Sequence, residues 1–254
     1  MKLFSLEGKT AIVIGGSKGL GRGIATGLSF AGANVVICSR NKDDLNRAAN
    51  EISKDTGGVV EAVAVDISSV DEINRLVDIV AEMYGHIDIL VNSAGVNIRK
   101  PAIEYSEADW DIVQNIQLKQ VFFTCQAVAK HMISKKIQGK IINIASLTSQ
   151  LGLPNMISYC CAKGAIVQMT KALANELAIH GINVNAIGPG YYKTEMTKPL
   201  LDNNENMERI ISRIPMRRTG DPEDLMGTAI FLSAEASDYI TGQIIYVDGG
   251  WLAC

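Results

Sequence analysis

The chain reads as one α/β domain, a doubly wound parallel sheet flanked by helices. Three observations predict that class. Short apolar runs of strand length alternate with helical segments from Thr10 to Val247, the links between them are brief, and a glycine-dense turn separates the first strand from the first helix. No linker, repeat or low-complexity segment divides the 254 residues, a length one large α/β domain can fill.

Taken in order, Thr10-Ala11-Ile12-Val13-Ile14 is an uninterrupted apolar run of the kind found in strands buried on both faces. It runs into Gly15-Gly16-Ser17-Lys18-Gly19-Leu20-Gly21, then into the helical pattern of Ile24, Leu28 and Ala31. Strand, glycine turn and helix N-terminus place backbone N–H groups and a positive dipole end where a pyrophosphate can sit. The first glycine gap is longer than in the usual dinucleotide fingerprint, and a tight turn without a ligand would use glycine too.

A second strand, Asn34-Val35-Val36-Ile37-Cys38, ends in Ser39-Arg40. An acid about twenty residues past the glycine turn grips a ribose 2′-hydroxyl, whereas an arginine accommodates a 2′-phosphate. Arg40 stands there without an acid, and Ser17, Lys18 and Arg40 could reach one phosphate. That favours NADP over NAD, although an arginine at a strand end can also be merely solvated.

Helix 43–54 leads to strand 59–65, which ends in Asp66, and helix 70–84 leads to strand 87–91, followed by Asn92-Ser93-Ala94-Gly95. In a parallel sheet these strand ends are where ligands collect. One long helix is expected over 106–135, more apolar than a sheet-covering helix needs, so that part of it would meet another subunit. Strand 140–144 delivers Ser146, and 182–187 forms a sixth strand. Residues 191–215 read as a long irregular insertion on the ligand side, expected to be a substrate lid. A last helix (221–233) and strand (243–247) close the domain.

Composition narrows the functions. Hydrophobic residues make up 47% and charged residues 20%, a globular balance, and the net charge of −3 with no basic run argues against nucleic acid or a membrane surface. The N-terminus has no apolar stretch of signal-peptide length, which implies a soluble cytoplasmic protein. Five cysteines (Cys38, Cys125, Cys160, Cys161, Cys254) lack metal-ligand spacing and read as reduced, small apolar residues, with no metal expected.

The chemistry concentrates between Ser146 and Lys163. With Asn155 as a helix cap, Tyr159 and Lys163 lie four apart on one face, and Ser146 can return to meet them. A phenol titrating near ~10 needs about three units of depression to serve as a base at neutral pH, and one ammonium ~4 Å away supplies roughly that. A lone Tyr-x-x-x-Lys recurs by chance in unrelated chains, so its surroundings decide its meaning.

The glycine turn, Asn92-Ser93-Ala94-Gly95, Ser146, Tyr159-x-x-x-Lys163, Pro189-Gly190 and Thr194 occur in an order that resembles the short-chain dehydrogenase/reductase family over essentially the whole chain. The resemblance implies a Rossmann sheet of seven parallel strands, a nicotinamide cofactor and a homotetramer. It implies Tyr159 as general acid/base, Lys163 as the residue that lowers the Tyr159 pKa and holds the nicotinamide ribose, and Ser146 as support for the substrate carbonyl. Cofactor contacts are implied at Gly15, Ser17, Lys18, Gly19, Leu20 and Gly21, at Ser39 and Arg40, and at Asp66 and Ile67. Others fall at Asn92, Ala94 and Gly95, at Tyr159 and Lys163, and at Pro189, Gly190 and Thr194, with Ile187 near the carboxamide.

Phe4-Ser5-Leu6-Glu7-Gly8-Lys9, Lys140 to Ser146, Arg213-Ile214-Pro215 and Val247-Asp248-Gly249-Gly250-Trp251 are similar to the sugar-acid branch, the gluconate 5-dehydrogenases and related ketodeoxygluconate dehydrogenases. In that branch Arg99 would pair with a substrate carboxylate; as a loop arginine it could equally be in solvent. Gln117 stands where the family's catalytic asparagine is expected, with Leu118 and Phe122-Phe123 fixing the register. Ile14, Ser93 and Ala162 also depart from the pattern. Three functions remain open: a sugar-acid oxidoreductase, a reductase of acyl-carrier-protein thioesters or other carbonyls, and a nucleotide-binding sensor impaired by Gln117.

Overall fold

The computed structural model describes residues 2–253; Met1 and Cys254 lie outside the described residues, and with them the parts of the N-terminal and cysteine readings that fall there. Seven strands form one sheet: β1 (Thr10–Ile14), β2 (Asn34–Ser39), β3 (Val60–Ala64), β4 (Ile89–Asn92), β5 (Lys140–Ile144), β6 (Asn183–Pro189) and β7 (Ile244–Val247). Every pairing is parallel and the order is β3-β2-β1-β4-β5-β6-β7. The order reverses between β1 and β4, where Ile14 pairs with Asn92, and a crevice opens there by topology.

Strand alternation builds two cores. Ile12, Ile14, Val36 and Cys38 face one layer, containing α3 (Val70–Tyr84), α5 (Gln120–Lys135) and α6 (Ile157–Leu177). Ala11, Val13, Val35 and Ile37 face the other, containing α1 (Gly19–Phe30), α2 (Lys42–Thr56) and α9 (Met226–Ser233). At period two, a run apolar at every position is what two covered faces require.

Local chemistry fixes the helix ends. Asn41 accepts from Asp44 N at 3.0 Å to start α2, and Gly57 ends it at φ 72°. Ser69 and Gly85 do the same for α3. No described helix is long and apolar enough to cross a membrane. Of the described cysteines, Cys38 and Cys125 are buried, as small apolar residues should be, but Cys161 is exposed and Cys160 half-buried.

Two expected elements differ. The single helix of 106–135 is α4 (Glu107–Gln114), a π-turn (Asn115–Lys119) and then α5. The wider turn leaves the chain helical but bulges it at Gln117, a local defect that sequence periodicity is too coarse to register. Residues 191–215 are also more ordered than an irregular insertion, containing α7 (Lys198–Leu201) and α8 (Asn204–Arg213). The polar Asp202 to Asn206 run that reads as coil is a helix start, with Asn203 accepting from Asn206 N at 2.9 Å.

Candidate active site

At the β1/β4 reversal lies a cleft of about 460 Å³. Its phosphate-side wall is the glycine turn, where backbone packs on backbone. A Cβ on Gly15 (φ 78°) would lie 2.7 Å from Ala94 N, and one on Gly21 would lie 2.2 Å from Gly15 O. No side chain fits at either position, which leaves N–H groups exposed at the start of α1. This cradle suits a dinucleotide pyrophosphate.

Most residues expected at the site line this one cleft. They are Gly15, Ser17, Lys18, Gly19, Leu20 and Gly21 of the turn, Ser39, Arg40, Asp66 and Ile67 beyond β2 and β3, Ala94 and Gly95 beyond β4, Gln117, Ser146, Tyr159, Lys163, and Pro189, Gly190 and Thr194. Three lie elsewhere. Asn92 is buried and turns its amide inward, donating to Asn143 Oδ1 at 3.0 Å and Cys125 Sγ at 3.2 Å, so it ties β4 to β5. Ile187 is buried in the core. Arg99 stands exposed on the loop beyond β4.

At the cofactor-selecting end, Arg40 is exposed, whereas the Lys18 ammonium is engaged by Asp44 at 2.7 Å. Asp44 sits in the first turn of α2, too far along the sequence for its pairing with Lys18 to be read there. Asp66 is held below the usual carboxylate range, first by the Ser68 backbone N–H at 3.0 Å and more weakly by Arg40.

Around Ser146 the geometry is tight. β5 ends at Ile144, and the extended Ser146 starts a short 3₁₀ turn whose Thr148 N donates to Ser146 Oγ at 3.2 Å. Ser149, which sequence reasoning missed, ties the turn to α6: its Oγ accepts from Ser146 N at 3.2 Å and donates to Lys163 O at 2.9 Å. Its only sequence signal is position, three residues past Ser146, where a capping partner belongs.

Asn155 is not the cap of α6. It adopts φ 60°, a region asparagine tolerates, and its carbonyl accepts from Lys100 N at 3.2 Å, while Met156 precedes the helix without a side-chain cap. Tyr159 and Lys163 still share one face, with the Lys163 ammonium 5.6 Å from the Tyr159 ring centroid.

The electrostatics run opposite to the expected depression. Lys163 is buried, and burial pulls its ammonium down to about 7; it donates to Ile144 O at 2.7 Å. Near neutral pH it is therefore not a full fixed charge. The Tyr159 phenol is raised above its ordinary value by loss of hydration, while the Ser146 hydrogen bond and Arg99 pull it back. In the protein alone, Ser146 and, more weakly, Arg99 oppose this rise without reversing it, and Lys163 does not supply the expected depression.

Gln117 sits at the floor of the cleft, 1% exposed. Its extra methylene and the π-turn carry the amide to Val96 O, which it meets at 2.6 Å, so close over Gly95 that a Cβ there would lie 2.8 Å from Nε2. Its buried Oε1 has no hydrogen-bond partner among the described residues.

Residues 15–252 match the family model described as enoyl-(acyl carrier protein) reductase. The 2-dehydro-3-deoxy-D-gluconate 5-dehydrogenase of Escherichia coli strain K12 is 45% identical over 253 residues, covering 100% of this chain and 99% of the relative. The 5-keto-D-gluconate 5-reductase of the same strain is 40% identical over 252 residues, with 98% of each covered. The fold superposes on a gluconate 5-dehydrogenase from Burkholderia cenocepacia J2315, solved in complex with NADP and tartrate, with a TM-score of 0.95 at 36% identity over 100% of this chain and 98% of that one. Sheet order, glycine cradle, site geometry and these matches over the whole length agree: the chain belongs to the short-chain dehydrogenase/reductase family of oxidoreductases.

Proposed function

We propose that the protein interconverts a hydroxy and a keto sugar acid with NADP as cofactor, gluconate and 5-ketogluconate being the leading pair. The observation that carries this reading is the convergence of Ser146, Tyr159 and Lys163 at the end of a glycine-cradled cleft, with Arg99 acting on Tyr159 from beside it. The names of the relatives support the substrate class, and Arg40 at the end of β2, where the sequence places no acid, supports NADP.

The glycine turn would hold the pyrophosphate, Arg40 the 2′-phosphate and Lys163 the nicotinamide ribose. When bound, the nicotinamide supplies hydride to the carbonyl carbon or accepts it from the carbinol. Ser146 orients the carbonyl oxygen by hydrogen bonding, and Tyr159 donates the proton that oxygen needs as it becomes a hydroxyl; in oxidation Tyr159 takes it back. Arg99 would pair with the substrate carboxylate. Gln117 would hold the loop of Gly95 and Val96 in place.

Residues 191–215 serve as the substrate lid on this reading, since Thr194 and Met196 line the cleft. The partly exposed Trp110, Ile112, Phe122 and Ile133 of α4 and α5 support a homotetramer.

The test is a panel of 5-ketogluconate, its ketodeoxy analogue and an acetoacetyl thioester, each with NADPH and NADH. Turnover of a keto sugar acid with NADPH preferred is expected. Turnover confined to the thioester would replace the substrate assignment with an acyl-carrier-protein reductase, and equal use of NADH would remove the role given to Arg40.

A further inference from the structure

The reading above gives one arginine, Arg99, to the substrate, yet Arg99 and two further guanidinium groups act on one phenol, Tyr191, and none of the three has a carboxylate partner among the described residues. Arg99 is exposed and has no ion pair among the described residues. Its loop is nevertheless pinned on both sides, by Tyr105 Oη donating to Ile98 O at 2.7 Å and by Lys100 N donating to Asn155 O at 3.2 Å.

The other two come from the lid. Arg209 and Arg213 are four apart on α8 and share a face, beside the stripe of Ile210 and Ile214. That stripe packs on Leu147, the residue after Ser146, and on Trp251. The Arg213 guanidinium lies 4.6 Å from the Trp251 ring centroid, and Trp251 lies 4.8 Å from the Tyr191 ring. Among the described residues the Arg209 guanidinium donates a hydrogen bond only to Asn206 Oδ1, at 3.4 Å, although Glu205 stands one turn before it.

Like charges four apart on a helix repel, so stability does not account for the pair. The chain has 27 acidic residues against 24 lysines and arginines, and among the described residues no acid pairs with these three. Tyr191 stands among them, with no hydrogen-bond partner for its hydroxyl among the described residues. Loss of hydration raises its phenol, and Arg99, Arg209 and Arg213 each pull it back, so all three fields reach one point.

We propose that Arg209 and Arg213, with Tyr191, complete an anion subsite opposite Arg99 that grips the carboxylate of the sugar acid, so that the lid closes on charge. This rests on the sugar-acid reading and assigns it two specificity-determining residues on α8. A planar carboxylate suits guanidinium groups, one of them already placed over the Trp251 ring.

The experiment titrates gluconate and its neutral counterpart glucitol calorimetrically into the NADPH-loaded protein, in which gluconate cannot be oxidised. The wild type should bind gluconate at least tenfold more tightly than glucitol. Arg209→Gln and Arg213→Gln should each lose tenfold or more for gluconate and less than twofold for glucitol, and Arg213→Lys should recover part of the loss. In a Trp110→Phe background, the remaining Trp251 emission should change on adding gluconate and not glucitol. A wild type without that preference, or Gln variants that keep it, overturns the subsite. Turnover of 5-ketogluconate is read separately: arginine-dependent gluconate binding without turnover supports the subsite and removes the reaction, while turnover with the preference intact in both Gln variants does the reverse.

Discussion

The glycine turn and residues 191–215, the proposed lid, come together where a Cβ on Gly19 would lie 3.3 Å from Thr194 Cγ2, yet the two are built on opposite principles. The turn is shaped by backbone, with Gly15 and Gly21 packed so closely that no side chain is tolerated and strands buried on both sides behind them. The lid is shaped by a few side chains: Ile210 and Ile214 on Leu147 and Trp251, beneath a polar, largely exposed α8. A region held by backbone close-packing opens only with the whole fold, whereas one held by a small satellite cluster can open alone. The first suits the invariant part of a cofactor, the second a substrate that must enter and leave.

The largest effect that would test this contrast is Gly21→Ala. A Cβ 2.2 Å from the Gly15 carbonyl meets backbone that cannot swing away, so destabilisation of about 3 kcal/mol or more and a fall of roughly 6–12 °C in melting temperature are expected. NADPH binding should fail with it, as read by calorimetry.

Ile214→Ala should behave differently. Truncating a 2% exposed residue in the lid cluster removes about 2–4 kcal/mol, but from the lid alone. The melting temperature should fall by less than about 5 °C, with KM for the sugar acid rising about tenfold and cofactor affinity unchanged. A melting temperature that fell as far as in Gly21→Ala would show the lid to be part of the global core.

Lys163, on the seam between the two, sharpens the comparison through pH. Burial lowers its ammonium from 10.5 to about 7, so between pH 7 and 10 the unfolded chain holds a proton that the folded chain has released. Stability from this group therefore rises with pH across that window, and its cost is greatest below it. Lys163→Met should abolish turnover and yet raise the melting temperature of the cofactor-free protein at pH 6, by a margin that narrows towards pH 9. A margin constant with pH would show that Lys163 is not buried as a reluctant cation.

Much was legible in the chain alone. Five strand-length apolar residues at Thr10 to Ile14 specify a strand covered on both faces, because period two leaves no exposed side. Glycine spacing announced the cradle, since no residue with a side chain can replace it there. Tyr159 and Lys163 could be paired from helical period, and Arg40 read from its distance past the turn.

What only the tertiary structure decided depends on groups far apart in sequence. Asn92 turned from the cleft because Asn143 and Cys125, on β5 and α5, offered its amide buried partners. Lys18 met Asp44 across two elements. The lowered ammonium of Lys163 followed from burial, and the raised phenol of Tyr159 from lost hydration opposed by Ser146 and Arg99, not from the four-residue spacing. The π-turn that brings Gln117 to Val96, and the α8 face that sets Arg213 on Trp251, are likewise outcomes of packing. Period and turn chemistry are local and survive in one dimension; hydration, charge and long-range contact exist only once the chain has closed on itself.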